Sequence, residues 1–175
     1  MSTFRFSPSR RVAAALCVVL SVAACRELTF EPEDPTTVTY APALGVTLSA
    51  YMRLPSGVYY QDVAVGSGAL VTDSSTVTVA YRGRLADGTT FDSTRTAQTD
   101  SFDLRGTIKG WQSGLSGARA GGRRRLIIPP SQGYGNTSRQ GIPAGSVLWF
   151  EIDIARVTTP VTPPPTTTTA ARTTR

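Results

Sequence analysis

The residues best suited to chemistry in this sequence are aromatic side chains spread over separate segments, together with one acid. The aromatic residues are Tyr81, Phe91, Trp111, Tyr134 and Phe150, and the acid is Asp92. Each aromatic residue alone would be an ordinary member of a hydrophobic core. As a set they predict an apolar cup with a single polar lip, a site that could take up an apolar group and remove it from water.

The residue types that are missing narrow the chemistry further. The chain has no histidine, and its two cysteines are Cys17 and Cys25. A serine triad that depends on histidine and a zinc site that contains histidine are therefore excluded. A glycine-rich phosphate loop of the G-x-x-x-x-G-K type does not occur either. We expect neither a cofactor nor a metal ion.

Alternating apolar residues predict that most of the chain between its two ends forms β-strands. Val77, Val79 and Tyr81 alternate with polar or small neighbours, which is the period-two pattern of a strand with one buried face. The same pattern in residues 148–154 places Phe150 on the core side and Trp149 on the opposite face. Two of the cup residues, Tyr81 and Phe150, are therefore expected to point inward.

Shorter signals add two strands and a turn. Strands are expected at residues 59–65 and 126–128, and the pair of prolines at 129–130 ends the second of them. Residues 87–88 are Asp-Gly, a hairpin turn signal, because glycine accepts the positive φ that such turns require.

Only one segment is predicted to be helical. Ile108, Trp111, Leu115 and Ala118 recur at spacings of three and four. Three glycines in the segment each lower its helix propensity by up to about 1 kcal/mol, so packing of the face with Trp111 must supply the difference. The expected fold is α+β: a mainly antiparallel twisted sheet wrapped around one short helix, in a single domain.

Four motifs in this region resemble those of FKBP-type peptidyl-prolyl cis-trans isomerases. They occur in the order and at the spacing of that family: YRGRLADGTTFDST (81–94), IKGWQSGL (108–115), GGRRRLIIPP (121–130) and GYGNTSRQGIPAGSVLWFEIDI (133–154). The resemblance covers roughly residues 56–157, nearly all of the chain expected to be ordered. It implies the FKBP fold and prolyl isomerase activity.

By position, the resemblance also implies a role for each residue of the cup. The catalytic set is Tyr81, Phe91, Asp92, Tyr134 and Phe150. The substrate-binding set is Ile108, Trp111 and Leu148. Trp111 would lie beneath a proline ring, while the Ile108 backbone N–H and the Tyr134 hydroxyl would each donate a hydrogen bond to a substrate carbonyl.

Two positions depart from the family pattern. Asp100 stands near where many relatives have a further pocket aromatic, with Phe102 close by. Thr107 replaces the aliphatic residue that usually precedes the isoleucine, which would make the edge of the pocket more polar. Both departures bear on substrate affinity more than on fold.

The implied reaction makes or breaks no covalent bond. Amide resonance opposes rotation with a barrier of about 18–20 kcal/mol. An apolar cup would favour the twisted amide, which is less polar than the planar one. Two alternatives stay open at this stage: a binding module with the same fold, acting as a chaperone or docking a partner with negligible turnover, and a passive envelope structural lipoprotein.

The N-terminal residues 1–24 have the pattern that is typical of an export signal. Arg5, Arg10 and Arg11 precede an apolar run of 13 residues at 12–24, which is too short to span a bilayer, where roughly 20 are needed. The end of the run, Val-Ala-Ala-Cys at 22–25, resembles a bacterial lipobox. That resemblance implies lipidation of Cys25 and a protein anchored to a bacterial membrane, facing the periplasm or exterior. An ordinary signal peptide that contains a cysteine is the alternative.

Four parts follow from these patterns: the signal at 1–24, the lipidated N-terminus and flexible spacer at 25–45, the isomerase domain at 46–157 and a disordered tail rich in proline and threonine at 158–175. A chain without the signal would contain no cysteine pair and hence no disulfide. We expect a monomer whose partners are proline-containing polypeptides and, through the lipid, a membrane.

Charge gives no support for nucleic-acid binding. The net charge of +6 falls to +3 once the three signal arginines are removed, and nucleic-acid binders cluster basic residues on one surface. The single cluster, Arg-Arg-Arg at 123–125, reads as the polar start of a strand. Contact with anionic lipid headgroups is the alternative for a tethered protein.

Overall fold

The computed structural model describes residues 31–95 and 97–160. The expected export signal, Cys25 and the part of the expected tail after Pro160 lie outside the described residues. The described part contains seven strands: β1 (Met52–Arg53), β2 (Tyr59–Ala64), β3 (Thr76–Leu85), β4 (Thr90–Ser93), β5 (Asp100–Asp103), β6 (Arg123–Ile128) and β7 (Leu148–Thr158).

One α-helix and four short 3-10 helices complete the secondary structure of the described residues. The α-helix is α1 (Lys109–Leu115), and the 3-10 helices are Pro42–Leu44, Leu48–Ala50, Leu104–Gly106 and Pro130–Gln132. The α+β fold with one short helix is thus confirmed. The helix ends three residues before Ala118, because Ser116 leaves helical geometry and Gly117 has a φ of 79°.

All strand pairs of the sheet are antiparallel, in the order β1-β2-β6-β7-β3-β4. Strand β3 uses its first half to pair with β5 and its second half to pair with β4. These two short strands therefore lie along the same edge of β3. The turn between β3 and β4 has Gly88 at a φ of 89°, as the Asp-Gly signal predicted.

Helix α1 packs on the inner face of the sheet through its glycines. A Cβ atom at Gly110 would lie 2.4 Å from Ile128 Cγ2, and one at Gly114 would lie 2.8 Å from Leu126 Cδ2. Only glycine lets the helix backbone approach β6 this closely. The residues that weaken helix propensity are therefore the ones that the packing requires, and this packing holds Trp111 against the core.

The outer face of the sheet is covered as well, which the sequence analysis did not predict. Trp149 was expected on an open polar face, but it is only 4% exposed. It belongs to a second apolar cluster with Tyr51, Tyr59 and Ile127, and its indole Nε1 lies 3.3 Å from the Tyr51 hydroxyl. The alternation predicts the two faces of β7 correctly, but the second face packs against other residues and does not meet water.

The cover is supplied by the chain before β1, where a flexible spacer was expected. Leu44 is 2% exposed in the second cluster, with Val38 and Tyr40 packed beside it. The Tyr40 hydroxyl also donates a hydrogen bond of 2.9 Å to the Pro35 carbonyl. The expectation of a flexible spacer is therefore wrong for residues 31–45, because their apolar side chains bury against the outer face of the sheet.

The arginine cluster forms ion pairs with neighbouring strands. Arg124 is 6% exposed and binds Asp62 through Nε at 2.7 Å and Nη2 at 2.9 Å. Its Nη1 donates to the carbonyl of Gly114 at 2.9 Å, near the end of α1. Arg123 and Arg125 pair with Asp153 and Glu151 on β7. These contacts favour the structural interpretation of the cluster over one that involves lipid headgroups.

Within residues 31–95 and 97–160, no helix is both long enough and apolar enough to cross a membrane.

Candidate active site

The wall of the cup is built where β3 lies beside β7 and β4. Gly83 on β3 pairs with Phe150 on β7 and with Asp92 on β4. A Cβ atom at Gly83 would lie 2.7 Å from the Phe91 ring and 2.8 Å from the Phe150 ring. The absence of a side chain lets these two rings meet edge to face over the strand, with centroids 5.5 Å apart.

The floor is supplied by Trp111, the residue of α1 that faces the sheet. Its ring meets those of Tyr81 and Phe150 edge to face, at centroid distances of 5.3 Å and 5.4 Å. The indole Nε1 is buried and has no hydrogen-bond partner among the described residues. The indole side chain is therefore held by ring packing, without a hydrogen bond to the other described residues.

Phe102 is a member of the cup that the sequence analysis did not assign. It lies on β5, and its ring meets those of Tyr81 at 5.8 Å and Trp111 at 5.5 Å. Asp100, two residues earlier on the same strand, is exposed. Asp100 and Phe102 lie on the same face of β5 and pair with Val79 and Val77 of β3, but only the Phe102 ring packs on the rings of the cup. The pairing of β5 with β3 was not visible in the sequence.

The acid at the lip is joined to the wall by a hydrogen bond. The Tyr81 hydroxyl donates to Asp92 Oδ2 over 2.6 Å. Asp92 itself is exposed, whereas Tyr81 is partly buried. Burial, followed by the hydrogen bond and the negative charge of Asp92, raises the pKa of Tyr81 above its usual value. Tyr81 is therefore a neutral donor over the physiological pH range.

Ile108 precedes α1 in an extended conformation and packs, partly buried, on the core that contains Trp111. Its backbone N–H donates to no other described residue. The hydroxyl of Thr107 donates 2.7 Å to the Leu104 carbonyl, and Gln112 Nε2 donates 2.8 Å to the Thr107 carbonyl. The polar groups of Thr107 are thus already bonded within the turn, which limits the effect of this departure on the pocket edge.

Tyr134 and Leu148 approach from the other side of the core. Tyr134 is partly buried against it, and the Arg139 guanidinium lies 5.8 Å from the centre of its ring. Leu148 is fully buried at the start of β7. A Cβ atom at Gly133 would lie 3.1 Å from Leu148 Cδ1, so Leu148 supports the backbone that carries Tyr134.

All eight residues assigned from the sequence therefore border one core cluster or its lip. Seven pack in or on the cluster and Asp92 is joined to it through Tyr81. Their roles toward a substrate remain predictions. No three acidic, thiol or imidazole side chains of the described residues lie close enough to hold a metal ion.

The sequence matches a known protein family and several known proteins. Residues 68–155 match the model of the family described as FKBP-type peptidyl-prolyl cis-trans isomerase. The FKBP-type peptidyl-prolyl cis-trans isomerase FkpA of Escherichia coli K12 is 42% identical over 103 residues, covering 58% of this chain and 38% of that protein. FK506-binding protein 4 of Dictyostelium discoideum is 39% identical over 108 residues, covering 61% and 30%. The matched part is thus well under half of each of these relatives.

Solved structures agree with the fold. The crystal structure of FkpA from Escherichia coli has a TM-score of 0.60 at 39% identity, covering 63% of this chain and 52% of that one. The crystal structure of a peptidyl-prolyl cis-trans isomerase from Pseudomonas syringae pv. tomato has a TM-score of 0.58 at 33% identity, covering 62% and 81%. With half of its residues matched by the family model and its fold shared with these structures, the chain belongs to the FKBP-type peptidyl-prolyl cis-trans isomerase family.

Proposed function

We propose that this protein catalyses cis–trans isomerisation of X-Pro bonds in polypeptides. The observation that carries the proposal is the cup itself. Five rings form it, and each is in edge-to-face contact with at least one other: Tyr81, Phe91, Phe102, Trp111 and Phe150. At the lip, the Tyr81 hydroxyl is bonded to the carboxylate of Asp92. Membership of the isomerase family supports the same reaction.

The rings would accelerate rotation by keeping water away from the amide. Resonance places negative charge on the carbonyl oxygen and positive charge on the nitrogen, and it produces a barrier of about 18–20 kcal/mol. A twisted amide loses this charge separation, so it loses less solvation than the planar amide when it enters an apolar site. The site therefore binds the twisted form better than the planar one, which is what lowers the barrier.

Hydrogen bonds at the rim would hold the rest of the peptide while the proline turns. The Ile108 N–H has no partner within the described residues, so it is available to a substrate carbonyl. The Tyr134 hydroxyl would bind a second carbonyl. Fixing the chain on both sides of the bond reduces the motion that has to be lost on the way to the transition state.

Asp92 would act by orienting the wall. Its carboxylate accepts the hydrogen bond from Tyr81 and so sets the angle of that ring over Trp111. This role requires no proton transfer, which is consistent with a Tyr81 hydroxyl whose raised pKa keeps it neutral.

We further propose that the enzyme acts on exported proteins from a lipid anchor at Cys25, on the envelope side of a bacterial membrane. The basic start, the short apolar run and the lipobox-like end at residues 22–25 support this. Among the described residues, Glu33 is bonded to the folded domain, and it follows Cys25 by eight residues. Eight residues span at most about 29 Å when fully extended, so such an anchor would limit how far the folded domain can lie from the bilayer.

The activity is tested by a protease-free isomerisation assay on the purified protein with a panel of X-Pro peptides. Acceleration that falls at least about tenfold in Phe150→Leu supports the proposal. The anchor is tested separately, by labelling cells with a fatty-acid analogue. Incorporation that requires Cys25 supports lipidation, and equal labelling of a Cys25→Ser variant contradicts it.

A binding module with the same fold is the second candidate function. The observation that favours it is Asp100, an exposed acid on β5 whose negative charge acts on Tyr81 and would make the rim of the cup more polar. Under this account the cup would grip proline-containing segments with negligible turnover, and the protein would work as a chaperone. A protein that binds X-Pro peptides by calorimetry but does not accelerate their isomerisation would favour this candidate.

A further inference from the structure

The loop that carries Tyr134 has little structure of its own. It runs from Gly133 to Val147, between the last 3-10 helix and β7, and contains no helix or strand. Its one internal bridge joins Arg139 to Ile142. Connections of this length without secondary structure are uncommon in compact domains. The position of the Tyr134 hydroxyl therefore depends on what holds the loop.

A hydrogen bond beside Tyr134 joins the N-terminal and C-terminal parts of the loop. The Gly145 N–H donates to the Gly135 carbonyl over 2.8 Å, and the Gly135 N–H donates to the Pro130 carbonyl, also over 2.8 Å. Gly145 is buried at this point. Any shift of Gly145 would thus move Gly135, the residue that directly follows Tyr134 in the chain.

Glu33 is hydrogen-bonded to the C-terminal part of this loop, although it lies 114 positions before Val147 in the sequence. Its backbone N–H donates to the Gly145 carbonyl over 2.8 Å. Its side-chain Oε2 accepts from the Val147 N–H over 2.7 Å. Val147 is fully buried, so its N–H cannot turn to water in this fold. The bond to a carboxylate is also of the stronger, charge-assisted kind.

The segment that contains Glu33 is itself fixed at several points. Residues 31–44, the N-terminal strap, bury Pro35 and Leu44 against the domain. The Ala41 N–H donates to the Ala86 carbonyl over 2.8 Å, in the hairpin that leads to Phe91 and Asp92. The strap therefore joins two elements that flank the cup. It precedes residue 68, where the match to the family model begins.

We propose that Glu33 is a positioning residue for Tyr134, acting through Gly145 and Gly135. It would set where the Tyr134 hydroxyl meets a substrate carbonyl, while the strap as a whole would keep the loop and the β3–β4 hairpin in a fixed relation. The inference rests on the proposed function in one respect, the role of Tyr134 toward substrate. The structural link from Glu33 to Gly135 is independent of that role.

The link is tested by amide hydrogen exchange and NMR chemical shifts of the full chain. The variants are Glu33→Ala, which removes the acceptor, and Glu33→Gln, which keeps an amide oxygen that can accept. Glu31→Ala is the matched control, an exposed acid two residues earlier. In Glu33→Ala we expect exchange at Val147, Gly145 and Gly135 to accelerate at least about tenfold, with a shift of the Tyr134 signals. Glu33→Gln should restore most of both, and Glu31→Ala should leave them unchanged.

A change confined to Val147, with Gly135 and Tyr134 as in the unaltered protein, would overturn the proposal. So would equal acceleration across β3 and β7, because that pattern reports general loss of stability. This test needs no catalysis, so it decides the structural link even if the protein proves inactive as an isomerase.

The consequence for substrate is tested by a double-mutant cycle in the isomerisation assay. With Tyr134 present, Glu33→Ala should raise KM about fivefold and change kcat less, because the hydroxyl is displaced from the substrate carbonyl. In a Tyr134→Phe background the same substitution should have almost no effect. An equal loss in both backgrounds would show that Glu33 acts independently of Tyr134 and would overturn the positioning role. An inactive parent protein would instead count against the proposed function.

Discussion

The Tyr81 hydroxyl donates a hydrogen bond of 2.6 Å to Asp92 Oδ2, across the antiparallel pair β3 and β4. One partner is an exposed acid and the other is a partly buried ring that stands edge to face on Trp111. The bond therefore connects the solvent-facing lip of the cup to its floor. It gives the acid a way to influence an apolar site without entering it.

Tyr81 and Asp92 are expected to act as a unit in catalysis. Tyr81→Phe and Asp92→Ala should each lower kcat/KM by about tenfold, and the double variant should lose little more than either single one. Steady-state kinetics with one X-Pro peptide measures all three variants. Asp73→Ala serves as the control, since Asp73 is an exposed acid outside the cup. Losses that multiply in the double variant would contradict the coupling.

Adding a methyl group at Gly83 should disturb the cup directly. The new Cβ atom would lie 2.7 Å from the Phe91 ring and 2.8 Å from the Phe150 ring, so both rings must move. We expect Gly83→Ala to lower the free energy of unfolding by about 1–3 kcal/mol and to reduce kcat/KM, measured by urea denaturation and by the isomerisation assay.

Gly106→Ala is the matched control for Gly83→Ala. A Cβ atom at Gly106 meets nothing within 4 Å, so alanine there should be neutral or stabilise by up to about 1 kcal/mol through a less flexible unfolded chain. Equal effects of the two substitutions would show that the contacts of Gly83 with the rings are unimportant.

The raised pKa of Tyr81 predicts how its contribution to stability depends on pH. Burial and the bond to Asp92 favour the neutral hydroxyl in the folded state. This contribution is complete below the unfolded tyrosine value of about 10 and is lost as the pH rises above it. The difference in unfolding free energy between the unaltered protein and Tyr81→Phe should therefore be constant from pH 7 to 9. Above about pH 10 the unaltered protein should lose stability relative to Tyr81→Phe. Denaturant titrations from pH 7 to 11 measure it, and a constant difference throughout would contradict the assignment.

Arg124 should matter more for stability than its neighbour Arg123. Arg124 is buried, pairs with Asp62 and also donates to the Gly114 carbonyl of α1, so Arg124→Ala should lower the unfolding free energy by about 3 kcal/mol. The pair of Arg123 with Asp153 is about half exposed on both sides, and Arg123→Ala should cost less than about 1 kcal/mol. Chemical denaturation compares the two, and a larger loss for Arg123→Ala would count against this view of the cluster.

The sequence predicted the inner side of the molecule well because alternation and helical spacing report directly on burial. Tyr81 and Phe150 come from two alternating strands and Trp111 from the one helical period, and the three meet as expected. The poor helix propensity of α1 also has its explanation in packing. Gly110 and Gly114 are needed where the helix touches β6.

What the sequence did not predict depends on contacts between distant segments. Alternation shows that a strand has two faces but does not show what covers the second, so it does not predict the burial of Trp149. The strap that covers it contains several prolines and lacks an apolar period, so its composition resembled that of a flexible spacer. The place of Phe102 in the cup likewise depends on the pairing of β5 with β3, a contact that the sequence does not show.

The central claim, that the aromatic cup is a prolyl isomerase site, is tested most directly by the protease-free isomerisation assay on the purified protein. The comparison is among the unaltered protein, Phe150→Leu and Asp92→Ala, with circular dichroism to show that each is folded. The account predicts clear acceleration by the unaltered protein that falls at least about tenfold in both variants. A folded, unaltered protein that leaves the peptide isomerisation rate unchanged would contradict it.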